Sequence, residues 1–425
     1  MTERFIKRDV FQELWQDLGK KEISFLIGPR QSGKTTLMQR IKEELDRKGE
    51  KTLFLSLDFE RDREFFASQQ KLLKKVELEI GKQRGYVFFD EIQRKEDAGL
   101  FLKGIHDLGL PYKFLVSGSG SVDLKARIKE SMVGRKRVYE LYPVTLKEFS
   151  DYKTDYKYET RLSEFFSMEG SERDQLLLEY LNFGGYPRVL LETELKEKIR
   201  TIDEIYQGYI EKDISYILKV EKTEAFRLLV KVLADQVGKL INHSEISNTL
   251  GISLPTLKNY LWYAENTYIL HRVTPFFRNV RAEISKAPTV YFSDLGLRNF
   301  MLGIFGNLTR PDDLGFVFQN LVFLVLREKV RAANGKIHFW RTKSGAEIDF
   351  VIDLGRKVIP VEVKYSELGK PLVPRSFHGF IDKYAPEQCL VVNRKLKTSV
   401  DVKGSEVHFL TIWDLLTKEF GSLTF

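Results

Sequence analysis

A glycine-rich pattern of the form G-x-x-x-x-G-K-[ST] occupies residues 28–35, and few folds can accommodate it. Its fixed positions are filled by Gly28, Gly33, Lys34 and Thr35. The apolar run at residues 23–27 is short enough for a buried parallel strand. Apolar residues then recur at four-residue spacing from residue 37 to residue 45, as in an amphipathic helix. Strand, glycine loop and helix together predict a phosphate loop, the name used below for residues 28–35.

The residue types of the phosphate loop suit a nucleoside triphosphate. Gly28 and Gly33 allow main-chain N–H groups to approach phosphate oxygens closely, and the helix N-terminus adds a partial positive charge. Lys34 is expected to reach the β- and γ-phosphates, and Thr35 to offer its hydroxyl to Mg²⁺. The alternative is an ordinary glycine turn before a helix.

Two adjacent acidic residues, Asp90 and Glu91, follow an apolar strand-like run at residues 86–89. At the end of a parallel strand Asp90 can hold Mg²⁺ through its water shell, and Glu91 can polarise the attacking water. The alternative is a surface strand that ends in acids. The chain lacks the guanine-reading pattern Asn-Lys-x-Asp, so we expect ATP rather than GTP.

Three further segments are weaker candidates for contacts with the nucleotide. Ser117 or Ser119, in a serine- and glycine-rich stretch after a fourth strand-like run, can sense the γ-phosphate or belong to a plain loop. Arg135, within a basic cluster at residues 134–137, can reach phosphates in the same or a neighbouring subunit, or lie on a solvated face. Pro187, after Gly185 and Tyr186, can lie over the base or simply break a helix.

The composition restricts the class of protein. A chain of 425 residues with 43% hydrophobic residues should form two to four globular domains. Cys389 is the only cysteine, which excludes internal disulfides and cysteine metal sites. The chain has no membrane-length apolar run and no secretory signal at its start, so we expect a cytosolic protein without a membrane partner. The net charge of +8 is compatible with nucleic-acid binding but does not establish it.

The patterns divide the chain into regions. Residues 1–155 alternate strand-like and helix-like stretches, which predicts a mainly parallel sheet covered by helices. Residues 156–239 read as helices interrupted at residues 182–185, and residues 240–306 as a compact helical stretch with a hairpin. After a plausible linker at residues 307–311, a second α/β pattern fills the rest of residues 307–425.

Residues 244–261 read as helix, glycine turn and helix, with Ser253 as the cap of the second helix. With the following hairpin this would be a winged helix-turn-helix. Its second helix carries only Lys258 as a base, whereas the hairpin segment has more basic residues: His271, Arg272, Arg278, Arg281 and Lys286. Contact with DNA and packing between domains both remain open for this region.

A cluster of charged residues marks the C-terminal region. Glu362 and Lys364 stand two apart in a strand-like run and so leave the same face, and Asp349 on the neighbouring strand can join them. Two carboxylates and a lysine can hold a divalent metal and stabilise a water attacking a phosphodiester. Charged residues are also common on edge strands, so the signal is weaker than that of the phosphate loop.

Several motifs together resemble a prokaryotic family of AAA-type ATPases with a C-terminal domain of uncharacterised function. They are Gly28-Pro29-Arg30-Gln31-Ser32-Gly33-Lys34-Thr35-Thr36, residues 89–93, Gly134-Arg135, residues 184–187, residues 291–298 and residues 339–350. The resemblance implies a P-loop NTPase sheet, a helical lid, a winged helix and an α/β domain like the PD-(D/E)xK nucleases (restriction endonucleases). It also implies that Gln319 stands where that nuclease class often has a glutamate.

These observations lead to one functional hypothesis and one alternative. The hypothesis is a Mg²⁺-dependent ATPase that binds or acts on DNA through its winged-helix and nuclease-like regions. The alternative is an ATP-dependent switch that binds a protein partner and has a catalytically inactive nuclease-like domain, favoured by the neutral Gln319 and by the base-poor second helix. A second copy of the chain is a further candidate partner. The predicted domains are 1–155 for the ATPase core, 156–239 for the lid, 240–306 for the winged helix and 307–425 for the nuclease-like domain.

Overall fold

A computed structural model describes residues 5–119, 132–208, 223–277 and 287–418, which form a five-stranded sheet, a six-stranded sheet and a two-stranded sheet. The strands are β1 (Ile23–Gly28), β2 (Thr52–Ser56), β3 (Gly85–Asp90), β4 (Tyr112–Ser119), β5 (Lys136–Glu140), β6 (Leu270–Val273), β7 (Thr289–Phe292), β8 (Lys336–Arg341), β9 (Glu347–Asp353), β10 (Val358–Val363), β11 (Gln388–Asn393), β12 (Thr398–Val402) and β13 (Ser405–Thr411).

The α-helices are α1 (Val10–Asp17), α2 (Lys34–Arg47), α3 (Glu60–Arg63), α4 (Gln69–Ile80), α5 (Ala98–Asp107), α6 (Leu146–Lys153), α7 (Leu162–Met168), α8 (Gly170–Phe183), α9 (Pro187–Leu191), α10 (Leu195–Gly208), α11 (Thr223–Asp235), α12 (His243–Leu250), α13 (Leu254–Asn266), α14 (Leu295–Met301), α15 (Pro311–Ala332), α16 (Arg375–Tyr384) and α17 (Ile412–Thr417). Short 3₁₀ turns occupy Glu64–Ala67 and Ile92–Arg94. Within the described parts of the chain, no helix combines the length and apolar character needed to cross a membrane.

The N-terminal sheet is parallel throughout, in the order β2-β3-β4-β1-β5. Strand β1 is buried along its whole length because helices cover both faces of the sheet. Phe25 faces the core formed with α4 and α5, whereas Leu26 faces the core formed with α1 and α2. The predicted parallel sheet is therefore confirmed, and β5 adds a strand that was not predicted.

The middle of the chain is helical, as predicted, and its main break falls at Gly184 and Gly185, between α8 and α9. Farther along, α12 ends at Gly251, and Ser253 caps α13 by accepting a hydrogen bond from the Thr256 N–H at 3.2 Å. Strands β6 and β7 then pair antiparallel. The predicted basic residues Arg278, Arg281 and Lys286 lie outside the described residues.

The C-terminal sheet is mixed, in the order β12-β13-β11-β10-β9-β8. Strands β8, β9 and β10 pair antiparallel, whereas β10, β11 and β13 pair parallel. Helix α15 packs on one face and α16 on the other. The second α/β region is therefore confirmed, with β12, β13 and α17 beyond the predicted elements.

One hydrophobic core runs through the three regions that the sequence divides at residues 239 and 306. Its buried members include Leu181 in α8, Leu261 in α13, Val322 in α15 and Val361 in β10. The segment at residues 307–311, expected as a linker, is docked: Leu308 is buried, and its N–H donates to Asn182 Oδ1 at 3.0 Å. The lid, the helix-hairpin region and one face of the C-terminal sheet therefore pack as a continuous body.

Candidate nucleotide site

The phosphate loop joins β1 to the N-terminus of α2 in a conformation that requires its glycines. Gly33 has a φ of 95°, in the left-handed region that glycine adopts without strain. A Cβ atom on Gly28 would lie 2.1 Å from the Leu141 carbonyl oxygen, so a larger residue could not fit without moving the chain. The main-chain N–H groups at the start of α2 would face an anion bound at this loop.

Lys34 and Thr35 occupy the first turn of α2, and each has a defined partner. The Lys34 ammonium donates to the carbonyl oxygens of Gly28 at 3.1 Å and Pro29 at 2.7 Å, which holds it over the loop. The Thr35 hydroxyl lies 3.1 Å from Asp90 Oδ1 and 3.0 Å from Asp90 Oδ2, and donates to that carboxylate. The structure thus brings together the predicted phosphate-binding and metal-binding residues.

Asp90 is buried at the end of β3 among hydroxyl groups. Besides Thr35, Ser117 donates to Asp90 Oδ1, and Ser56 Oγ lies 3.5 Å from Asp90 Oδ2. A buried carboxylate surrounded by hydroxyls fits a hydrated divalent cation, because both kinds of oxygen can turn toward it. The predicted candidate Ser117 therefore lies beside the acidic pair.

Glu91 follows β3 in the left-handed region, with a φ of 58°. Its carboxylate accepts a hydrogen bond from Gln93 Nε2 at 2.5 Å, and its backbone N–H donates to Ser117 Oγ at 3.3 Å. Burial raises the pKa of Glu91 above the ordinary glutamate value, although the charge of Lys34 acts in the opposite direction. Burial beside the loop is the environment expected of a general base.

The remaining predicted contacts differ in position. Ser119 ends β4 opposite Gly28 in the strand register, and its side chain lies outside the described part of the structure. Arg135 precedes β5 at the other end of the sheet, where it pairs with Asp107 at 2.6 Å. The six-residue length of β1 separates Arg135 from the loop by roughly 16 Å. In this arrangement Arg135 lies away from the loop of its own subunit, and a contact with phosphates of a neighbouring subunit stays a prediction.

The lid contributes the candidate Pro187 and one residue that the sequence did not single out, Arg188. The Cγ of Pro187 would lie 3.8 Å from a Cβ on Gly33, so this proline lies against the phosphate loop. Arg188, the next residue, donates from Nη1 to Gln31 Oε1 at 3.0 Å and from Nη2 to Glu204 at 3.0 Å. Arg188 could have been found only as a charge that follows the predicted break.

Arg8 was also missed, although it is buried beneath the loop. Its guanidinium donates to the carbonyl oxygen of Ser32 at 2.9 Å, to that of Tyr142 at 2.6 Å, and to Glu148 at 3.0 Å. It therefore ties the phosphate loop to the segment after β5 and to α6. Sequence patterns could not predict this role, because Arg8 lies before the first helix and belongs to no regularly spaced set of residues.

The predicted C-terminal cluster is also assembled. Asp349 accepts from Gln319 Nε2 at 2.8 Å and from the Val363 N–H at 2.7 Å, while Lys364 donates to Glu362 at 2.8 Å. We call these four side chains, Gln319, Asp349, Glu362 and Lys364, the Asp349 cluster. Burial and the neighbouring charge of Glu362 raise the pKa of Asp349 to about 8.

A β-bulge places Asp349 in this cluster. His338 pairs with Val351 and Trp340 with Ile348, so β9 has one residue more than β8 between these pairs. The ladder between β9 and β10 ends at Phe350 and Val361, and Asp349 accepts the Val363 N–H beyond it. Oε2 of Glu362 is buried without a hydrogen-bond partner in the described ranges.

Three protein-family models match successive parts of the chain. Residues 20–150 match the AAA domain, residues 174–308 match a domain of unknown function (DUF8612), and residues 314–414 match another domain of unknown function (DUF4143).

Relatives match most of the chain. An uncharacterized protein of Methanocaldococcus jannaschii is 28% identical, over 92% of this chain and 87% of its own length. An uncharacterized protein of Haemophilus influenzae is 25% identical over 97% and 99%, and one of Mycobacterium tuberculosis is 25% identical over 88% and 76%.

Solved structures give a weaker likeness. The replication initiator DnaA bound to AMPPCP and single-stranded DNA is 14% identical, over 62% of this chain and 90% of that one, with a TM-score of 0.25. A DNA replication initiation factor is 15% identical over 76% and 88%, with a TM-score of 0.24. The match to the AAA domain covers the phosphate loop and the acidic pair, Asp90 and Glu91. Residues 20–150 of the chain therefore match the AAA domain and carry the phosphate loop, and two regions that match domains of unknown function follow.

Proposed function

We propose that this protein is a Mg²⁺-dependent ATPase whose catalytic centre is the phosphate loop together with Asp90 and Glu91. The observation that carries the proposal is the contact of the Thr35 hydroxyl with Asp90, beside the Lys34 ammonium. When bound, Mg²⁺ supplies charge neutralisation for the phosphates and would be held by Thr35 and Asp90. Lys34 would bind the β- and γ-phosphates, which requires it to leave its carbonyl partners.

Glu91 would act as the general base toward the attacking water. Its carboxylate is fixed by Gln93 and follows the metal-binding residue directly, as proton removal near the γ-phosphate requires. Arg188 already contacts Gln31 of the phosphate loop, so its guanidinium would bind phosphate by turning away from that side chain. ATP is favoured over GTP because the guanine-reading pattern is missing from the sequence.

Nucleotide titration tests the site. Lys34→Ala should weaken ATP binding by at least roughly tenfold, because the buried ammonium that faces the phosphates is lost. Lys42→Ala is the matched control, since Lys42 is on the same helix but pairs with Asp46 at 2.6 Å and not with the phosphate loop. Equal affinity of Lys34→Ala and the control for ATP would contradict the proposal.

A second proposed function concerns nucleic acid and the Asp349 cluster. The unpartnered Glu362 Oε2 beside Asp349 fits a divalent cation, provided that the Gln319 amide turns its oxygen inward. The order α11, bridge Leu240–Thr289, α12, α13 and the β6–β7 hairpin supports a winged helix-turn-helix. Together they favour DNA binding with metal-dependent cleavage.

The alternative is a switch that binds a protein partner with an inactive nuclease-like domain. It is favoured by the Gln319–Asp349 hydrogen bond and by α13, whose exposed face carries Leu254 and Trp262 beside the single base Lys258. Such a surface offers little to DNA phosphates.

A cleavage assay separates the two. Mg²⁺- or Mn²⁺-dependent cutting of duplex, single-stranded and branched DNA should be abolished by Asp349→Ala and retained by Asp353→Ala, a control on the same strand. DNA binding that weakens steeply with salt, without cutting, would leave a DNA-binding ATPase. The absence of both cutting and salt-dependent DNA binding would favour the protein-binding switch.

A further inference from the structure

Two segments more than a hundred residues apart meet beside the nucleotide site. The first is the glycine turn, Gly184 and Gly185, between α8 and α9. The second begins at Asp294, after β7. Asp294 Oδ2 accepts a hydrogen bond from the Gly185 N–H at 2.6 Å, and Oδ1 accepts one from the Leu297 N–H at 2.7 Å. One buried carboxylate therefore both caps α14 and holds the turn.

The approach of these segments is too close for any side chain on the glycine turn. A Cβ on Gly184 would lie 2.5 Å from both Asp294 carboxylate oxygens and 2.4 Å from the Gly296 nitrogen. A Cβ on Gly185 would lie 2.1 Å from the Val144 carbonyl oxygen. The turn is thus clamped between Asp294 and the segment that leads into α6.

The three residues that follow the glycine turn lie close to the phosphate loop. Tyr186 is buried, Pro187 begins α9 against Gly33, and Arg188 donates to Gln31. Because α9 is only one turn long, its position depends on how the preceding glycines are held. Displacement of the turn would therefore move Pro187 and Arg188 together.

We infer that Asp294 is a positioning residue of the nucleotide site, which holds the glycine turn so that Pro187 and Arg188 stay against the phosphate loop. The inference rests on the proposed function, since it assigns a residue of the region after the hairpin to the ATP site. Asp294 itself does not touch the loop. Its effect on nucleotide binding must pass through the turn.

The chemistry of an amide makes Asp294→Asn a selective variant. Asparagine is as good a helix cap as aspartate, so its oxygen can still accept from the Leu297 N–H. Its NH₂ group then faces the Gly185 N–H, and two donors oppose each other. Rotation of the amide restores the hydrogen bond from the Gly185 N–H but loses the one from the Leu297 N–H. The fold can survive this substitution, but the two bonds cannot both be kept.

The test combines ATP affinity, kcat and KM with a double-mutant cycle. Asp294→Asn should raise the Kd and KM for ATP by roughly tenfold while the chain stays folded. Arg188→Ala should have an effect of similar size. In the double variant the loss should stay close to that of the larger single variant, because both changes remove the same contact.

A buried polar residue far from the turn provides the stability control. Asn393 is buried in β11 and donates to the Leu396 carbonyl oxygen at 2.9 Å, so Asn393→Ala also removes buried hydrogen bonds. It should lower the melting temperature without changing KM. A purely structural Asp294 would behave in the same way.

The outcomes distinguish the inference from the proposed function. An unchanged KM in Asp294→Asn, or losses that multiply in the double variant, would overturn the positioning role while ATP hydrolysis by the wild type stands. A wild-type chain that does not bind ATP would overturn both. The inference is supported if KM for ATP rises in Asp294→Asn, if the double variant loses no more than the larger single variant, and if KM stays normal in Asn393→Ala.

Discussion

Glu91 combines an uncommon backbone conformation with a raised side-chain pKa. It is held in a left-handed backbone conformation, where residues other than glycine are uncommon, and it is largely shielded from solvent. Burial raises the pKa of its carboxyl, and the Gln93 hydrogen bond opposes that rise by stabilising the charged form. A general base is useful only when deprotonated, so this balance should be visible in the pH dependence of turnover.

We expect kcat for ATP hydrolysis to fall on the acidic side at a pH above the ordinary glutamate range. Gln93→Ala should move that limb to higher pH, because the carboxylate loses a donor. Glu91→Gln should bind ATP but turn over at least roughly a hundredfold more slowly, since the base is removed. Glu96→Gln, an exposed neighbour, is the control for the pH profile. Wild-type turnover in Glu91→Gln would reject the assignment.

The elements that sequence patterns predict well are those with regular spacing. The strands around the phosphate loop, the helices flanking Gly251, and β9 and β10 appear close to where they were expected. Strand β5 was missed because three of its five residues, Lys136, Arg137 and Glu140, are charged, and because it lies partly exposed at the edge of the sheet. The contacts of Arg8, Arg188 and Asp294 were not predictable, because they depend on which distant segments meet.

The segment at residues 307–311 shows the same limit of sequence-based prediction. Its composition resembles a linker, but its backbone is docked on α8. Asn182→Ala should lower the free energy of unfolding by about 1–3 kcal/mol, because the buried Leu308 N–H loses its acceptor. Asn266→Ala is a matched control: Asn266 makes the same bond to the carbonyl four residues earlier as Asn182 does, but at an exposed position. Chemical denaturation compares the two, and equal losses would contradict docking.

At the scale of the whole molecule, contacts connect the phosphate loop with the C-terminal region. Arg8 joins the Ser32 and Tyr142 carbonyl oxygens, and the Tyr142 ring lies 3.6 Å from the guanidinium of Arg327 in α15. Arg327 also contacts His271 in β6 at 2.7 Å. The same helix α15 carries Gln319 of the Asp349 cluster. The loop and that cluster are therefore connected by a chain of contacts through Arg8, Tyr142 and Arg327, and along α15 to Gln319.

Hydrogen exchange with and without a non-hydrolysable ATP analogue can test this route. In the wild type we expect the analogue to slow amide exchange both at the phosphate loop and in α15, β9 and β10. Arg327→Met retains the length of the side chain but loses the contacts with Tyr142 and His271, so the effect should persist at the loop and disappear in the C-terminal elements. Arg331→Met is the matched control, because Arg331 lies on the same helix and also pairs with Glu328, at 3.5 Å, but is exposed. Protection of β9 that survives in Arg327→Met would show that the nucleotide acts on the C-terminal sheet by another route. The hydrogen bond of Asp294, two residues after β7, to the glycine turn would then be the next contact to remove.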